Sequence, residues 1–231
     1  MRRHTRGTVV GAACALVLAA TTACASGSDQ PDPTASAARG DGGARVVERV
    51  DVDGDGERDA VRYRVLKGDR VRIGVGAGGG SPVRTVLDTS LWPGPGGEWY
   101  GAAEVDGRAG AELLVGTTHG AHTPMFTVLT LRSGRLVVQP DPATGQREWW
   151  VDAFYNGFVG WSRVAGDPTR MVRREVFRVG DGHVWRGQVQ SFRWDAGRWL
   201  HDDRHDLRIR GDEKAARVAG WHVAGLPQWP S

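Results

Sequence analysis

Lysine is almost missing from this chain: Lys67 and Lys214 are the only two among 30 basic residues in a sequence of 231. The other basic residues are arginines, and 27 acidic residues oppose them. Arg2, Arg3 and Arg6 all precede the first acidic residue, Asp29, so beyond residue 23 the two signs balance. A nucleic-acid binder needs a basic stripe. None is present, so no nucleic-acid partner is expected. Cysteine is equally scarce. Cys14 lies in an apolar N-terminal segment, and Cys24 is the only other thiol. With that segment removed, no intramolecular disulfide and no cysteine-type zinc site can form. No apolar run reaches the ~20 residues of a membrane-spanning helix. Catalytic signatures are lacking too: there is no H-E-x-x-H, no P-loop, and Ser162 lacks the second glycine of a nucleophile elbow. What remains is 40% hydrophobic, enough for a packed core of one or two domains.

The N-terminus reads as an address. Met1 to Arg6 is positively charged, Val9 to Ala20 is apolar, and small residues follow at Ala23, Cys24 and Ala25. This is the pattern of a secretory signal over residues 1–23. Thr21-Thr22-Ala23-Cys24 resembles a bacterial lipobox, with Thr21 where leucine is usual. The resemblance implies that Cys24 is a lipid anchor, carrying palmitate-type acyl chains on the outer face of the cytoplasmic membrane. Ala23-Cys24-Ala25 also satisfies an ordinary A-x-A cleavage signal, which would leave the protein secreted. Residues 24–43 are rich in Ser, Ala, Gly, Asp and Pro, with no aromatic residue. They cannot bury enough apolar surface to order themselves and read as a flexible tether.

From residue 44 to 231 the grammar is that of hairpins. Ala60 to Leu66 alternates with period two, Lys67-Gly68-Asp69 turns it, and Arg70 to Val75 returns. The pattern recurs around Ser133-Gly134, Gly180-Asp181-Gly182 and Asp195-Ala196-Gly197. No long segment keeps a capped helical period. An all-β domain of antiparallel sheets is expected. Asp51 to Asp59 aligns with Glu104 to Glu112 at an offset of 53 residues, a spacing that suits one four-stranded propeller blade. A weaker echo joins Gly160-Trp161 to Gly220-Trp221.

Asp51, Asp53, Asp55 and Asp59 occupy loop positions 1, 3, 5 and 9, with Gly56 at position 6. Ca²⁺ takes six to eight oxygens, and carboxylates at alternate positions converge when the chain turns sharply. An EF-hand would need glutamate at position 12, where Arg62 stands, and a following helix. The loop and the strand after it resemble the FG-GAP/VCBS repeats of integrin-like propellers, without the FG-GAP sequence itself. That resemblance implies that Asp51, Asp53, Asp55 and Asp59 bind Ca²⁺ through side chains and Glu57 through its main-chain carbonyl. It also implies three or four blade-like sheets in a partial or small propeller. The second loop has Arg108 at position 5 and Ala109 at position 6. It reads as a turn that has lost its metal, with Arg108 standing in for the cation, or as an ordinary surface turn.

The histidines of His119-Gly-Ala-His122 and His201-Asp-Asp-Arg-His205 read as loop residues. Trp149, Trp150, Trp185, Trp194 and Trp199 either fill gaps between sheets or stack on sugar rings. The functional expectation is a lipid-anchored, calcium-stabilised, non-enzymatic binding or scaffold domain, with a cell-envelope protein or polysaccharide as partner. The alternative is an exported hydrolase or carbohydrate-binding protein acting on an envelope polymer. Glu148, Asp152, Glu175 and Asp203 are the available acids.

Overall fold

The computed structural model describes residues 43–76, 81–92, 98–120, 123–154 and 156–227. The expected export segment, Cys24, most of the expected tether and His122 lie outside the described residues. Three sheets follow one another along the chain. The first comprises β1 (Arg45–Val50), β2 (Asp59–Leu66), β3 (Arg70–Gly76) and β4 (Val83–Asp88), paired in that order. The second comprises β5 (Trp99–Ala103), β6 (Glu112–His119), β7 (Pro124–Arg132) and β8 (Arg135–Val138), with β9 (Glu148–Trp150) also pairing β7. The third orders β10 (Asp152–Phe154), β11 (Gly157–Val164), β12 (Asp167–Arg178), β13 (Val184–Asp195) and β14 (Arg198–Arg210). A five-residue helix, α1 (Asp212–Ala216), then leads to β15 (Gly220–His222), which pairs with β11 in parallel. The other named strand pairs are antiparallel, so the domain is all-β as the hairpin grammar requires.

The turns explain the hairpins. Ser133-Gly134 and Ala196-Gly197 are two-residue loops with positive φ at both positions, the turn whose twist matches that of the flanking strands. Gly68 and Asp69 adopt the same left-handed conformation in the β2–β3 loop.

The edge strand pairs β1–β2 and β5–β6 match at the offset of 53. Val50 pairs with Asp59 as Ala103 pairs with Glu112. Both edge pairs carry an irregularity at the same place, between Val46 and Glu48 in one and between Trp99 and Gly101 in the other. Bulges are specific local features, so two in identical registers mark one structural unit used twice.

Sequence pattern follows layer position. β2 alternates because one face is buried, with Val61 and Tyr63 inside and Arg62 and Arg64 less so. β6 is buried on both faces, and accordingly runs Leu113-Leu114-Val115 without alternation. Leu113, Val115 and Leu129 pack against Val61, Tyr63, Val71 and Ile73 of the first sheet. Leu114, Phe126 and Val128 pack the other way, against Trp149, Trp161, Met171, Phe192 and Trp221. Trp149 and Trp185 are therefore core, while Trp150, Trp194 and Trp199 are partly exposed. The outer face of the third sheet is covered by α1, through Ala215 and Val218 against Val176 and Trp185.

The weak Gly-Trp echo has a structural meaning. Gly160 lies opposite Gly220 and Trp161 opposite Trp221 in the parallel β11–β15 pair. Trp149 packs against both indoles, with ring centroids 4.7 and 5.7 Å away. Beyond β15 the chain clasps the second sheet: the Tyr100 hydroxyl donates to the Pro227 carbonyl at 3.0 Å, and Leu226 sits where a side chain on Gly101 would lie.

Candidate functional site

The acidic loop between β1 and β2 is tied down by its own backbone. Asp51 accepts the Gly54 N–H at Oδ1 (2.6 Å) and the Gly56 N–H at Oδ2 (2.9 Å). Asp53 accepts from Asp55 at 3.1 Å, and Asp55 from Glu57 at 2.7 Å. Gly54 (φ 85°) and Gly56 (φ 89°) supply the left-handed conformations that the winding needs. Asp59, at the start of β2, is buried and accepts the Val52 N–H at 2.9 Å.

This winding brings Asp51, Asp53 and Asp59 together, with one carboxylate oxygen of each within 4.8 Å of the others. Oxygens bound to one Ca²⁺ at ~2.3–2.6 Å lie no more than about 4.6–5.2 Å apart. The three therefore fit one coordination sphere. Asp55 and Glu57 are exposed and fall outside this group of three. Among the described residues, none of Asp51, Asp53, Asp55 and Asp59 forms an ion pair. Burial pushes the Asp59 carboxyl above its ordinary range, and the neighbouring Asp53 and Asp55 add to the rise, partly offset by the Val52 N–H. A cation would reverse that electrostatic pressure.

The second loop repeats the framework and replaces the charge. Val105 N–H donates to Glu112 at 2.7 Å, as Val52 does to Asp59. Arg108 N–H donates to Asp106 at 2.9 Å, as Asp55 does to Asp53. The cation comes from elsewhere. The guanidinium of Arg132, at the end of β7, bonds Asp106 and lies 3.4 Å from Glu112. Both carboxylates are fully buried. Thr130 adds a 3.0 Å hydrogen bond to Glu112, and Gln139 one of 3.2 Å to Asp106. The expected stand-in, Arg108, is exposed and forms no such pair among the described residues. Its backbone N–H serves the loop, and the residue lines the cavity described below. Burial drives the Glu112 carboxyl up to about 7, with the Asp106 charge as the second cause and three hydrogen bonds opposing.

Each loop also rests on the unit that follows. A Cβ on Gly54 would sit 2.6 Å from the Ala109 Cβ of the second loop. A Cβ on Gly107, the equivalent position, would sit 2.3 Å from the Pro168 carbonyl oxygen in the third sheet. The Asp51 carbonyl accepts the Ala111 N–H at 2.8 Å, and the equivalent Glu104 carbonyl accepts Arg163 Nη1 at 2.9 Å.

Beside the loops lies a cavity of about 610 Å³, walled by Asp53, Arg108, Arg132, Gln139, Val137 and Trp194 among others. Gln139 Oε1 and the Trp194 indole N–H are both buried without a hydrogen-bond partner. Of the acids considered for hydrolysis, Asp152 and Glu175 flank Val159 in neighbouring strands. Glu148 accepts the Thr117 and Thr118 hydroxyls at 2.7 and 2.6 Å, Glu175 pairs with Arg173 at 2.7 Å, and Asp203 pairs with His205 on exposed β14. His119 is half-buried, with its ring edge-on to Trp92, rather than free in a loop.

Sequence comparison could not find Arg132, Thr130 or Gln139, because no local pattern links β7 and β8 to a loop some twenty residues earlier. Neither protein-family models, curated proteins nor solved structures match this chain.

Proposed function

We propose that this chain is the binding domain of an exported, lipid-anchored protein, stabilised by Ca²⁺ in its first acidic loop. The first two sheets are read as consecutive blades of a small propeller-like series of the FG-GAP/VCBS kind. One observation carries the reading. Two loops share a hydrogen-bond framework; one has the Arg132 guanidinium among its buried carboxylates, and the other has three converging carboxylates with no cationic partner among the described residues. Asp51, Asp53 and Asp59 would hold the ion, with Asp55 and the Glu57 carbonyl completing the set.

Asp53 lies both in this group and in the wall of the 610 Å³ cavity. That volume falls in the range of ~300–1,000 Å³ usual for ligand pockets. The partly exposed Trp194 and the polar side chains of Arg108 and Gln139 suit a polar ligand such as an envelope saccharide. Glu148 is engaged by two threonine hydroxyls and Glu175 by Arg173, which favours binding over hydrolysis.

Calorimetric titration tests the metal. An extracellular module typically binds Ca²⁺ with a dissociation constant of ~0.1–1 mM. At ~1 mM free calcium the gain in folding is then about 0.4–1.4 kcal/mol. A modest calcium-dependent rise in melting temperature is expected, lost in Asp53→Ala. Folded protein that takes up no calcium at several millimolar would reduce the loop to an acidic turn.

A further inference from the structure

On the outer face of the third sheet, away from both acidic loops in the chain, a second cavity of about 240 Å³ lies beside α1. Its walls are Gly160 and Ser162 of β11, Arg174 of β12, Lys214 and Arg217 of the helix and its end, Val218, and His222 of β15. The sheet register puts these groups together. Gly160 pairs with Arg174, and Ser162 with His222, so all four face the same side. Gly160 is required there, because a Cβ would lie 1.8 Å from the Val218 carbonyl oxygen and push the helix off the sheet.

The charge of the lining is one-sided. Three cationic side chains and one histidine surround the cavity, and no carboxylate lines it. Arg174 bonds only the Ser162 hydroxyl, at 2.6 Å, and this fixes the direction of its guanidinium. Lys214 has no ion-pair partner among the described residues, although it is one of only two lysines in the chain. His222 Nε2 has only a long contact of 3.4 Å with the Val218 carbonyl. Arg217 alone has a carboxylate, Glu213, and that pair is mostly exposed and therefore weak. The chain beyond residue 23 has balanced charge, so this convergence is local rather than a reflection of a basic protein.

We propose that this cavity binds a phosphoryl group. Arg174 and Lys214 converge with no carboxylate partner among the described residues, and a multiply charged oxyanion offsets their repulsion while accepting charge-assisted hydrogen bonds from both. Ser162, whose oxygen already accepts from Arg174, keeps its own O–H to donate. Two unpaired cations, with the Ser162 hydroxyl and the His222 imidazole beside them, exceed what a single carboxylate needs and match a tetrahedral dianion. The volume is below the ~300 Å³ at which pockets begin to hold whole ligands. It therefore takes one terminal group, either free phosphate or the phosphate of a glycerol-phosphate unit in a lipid headgroup or polymer.

The test is calorimetric titration of the full chain at low salt with sodium phosphate and, separately, with sn-glycerol 3-phosphate, using glycerol as the neutral control. Saturable binding of a phosphate compound, with none for glycerol, is expected. Arg174→Met should weaken it at least tenfold. Lys214→Gln, which alters an exposed side chain and leaves the core alone, should weaken it severalfold. Arg186→Gln, exposed and outside the cavity, should change nothing. Tighter binding of glycerol 3-phosphate than of phosphate would identify an esterified source, and the reverse a free one. No binding by folded protein at 20 mM of either compound would overturn the proposal. So would binding that survives in both Arg174→Met and Lys214→Gln. The readout is independent of calcium, so failure here and failure of the metal loop are separable.

Discussion

Arg132 reaches Asp106 across 26 residues of chain and holds the floor of the second loop with a charge that the first loop does not contain. Asp106 is fully buried, and the Arg132 side chain is 22% exposed. Removing one partner of a buried pair strands the other charge in a poorly solvating interior. Here the Asp106 carboxylate would be stranded, and Glu112 with it wherever it is ionised. Arg132→Met should cost about 3–5 kcal/mol in urea denaturation. Arg217→Met, which breaks an exposed pair with Glu213, should cost under ~1 kcal/mol. Equal costs would show that the guanidinium is not the internal counter-ion of the loop.

Glu112 makes the same loop sensitive to pH. Its carboxyl titrates near 7 in the fold, against an ordinary value of 4.5. The folded state therefore holds a proton that the unfolded chain releases between those values, and stability falls as pH rises through that window. The contribution is fully present below about 4.5 and lost above about 7. Glu112→Gln keeps an oxygen for Thr130 and cannot ionise. Denaturation between pH 5 and 8 should show the wild type declining relative to this variant. Parallel curves would mean that Glu112 is ionised throughout.

Asp53 and Asp59 belong to one carboxylate group yet should fail differently. Asp59 caps the buried Val52 N–H, whereas Asp53 is exposed and accepts only from Asp55. Leaving a buried donor unsatisfied costs about 1–3 kcal/mol. Asp59→Ala should therefore lower the melting temperature even under chelation. Asp53→Ala should leave the chelated protein unchanged or slightly more stable, by relieving repulsion. The comparison is a thermal melt of both variants with and without chelator, and identical behaviour would contradict it.

Gly110 and Gly56 offer a matched pair for the contact between loops. Both have strongly positive φ, 97° and 89°. A Cβ on Gly110 would lie 2.4 Å from the Val52 carbonyl oxygen, while one on Gly56 meets nothing within 4 Å. Gly56→Ala should show only the backbone strain of about 1–2 kcal/mol. Gly110→Ala should cost clearly more, measured by chemical denaturation, because the first loop must also move. Equal losses would mean that the two loops are not packed on one another.

The hairpins were legible because their determinants are local. Ser133-Gly134 and Ala196-Gly197 sit between alternating runs, and the turn conformation follows from two residues. The offset of 53 was legible for the same reason, since Asp51–Asp59 and Glu104–Glu112 each write their framework within nine residues. The counter-ion was not, and Arg108 was the wrong arginine. A guanidinium from β7 arrives through strand pairing that no spacing rule specifies. The Gly160-Trp161 and Gly220-Trp221 echo was visible as a likeness, but its parallel pairing depends on a crossover through α1, whose five residues are too few to announce a helix. The phosphoryl cavity draws Arg174, Lys214 and His222 from three elements, and no sequence window contains them together.

Pro227 closes on Tyr100 only after 127 further residues have been made. At ~5–20 residues per second, translation alone separates the two by roughly 6–25 s. Throughout that interval the hairpins of the middle sheet can form, but Trp149 and Trp161 lack the cover that Trp221 gives them. A ribosome that stalls after residue 219 would release a chain with nearly all its strands and an open aromatic seam, which is the kind of surface that chaperones and proteases engage. The short parallel strand thus closes the aromatic seam late, after the other named strands have been made.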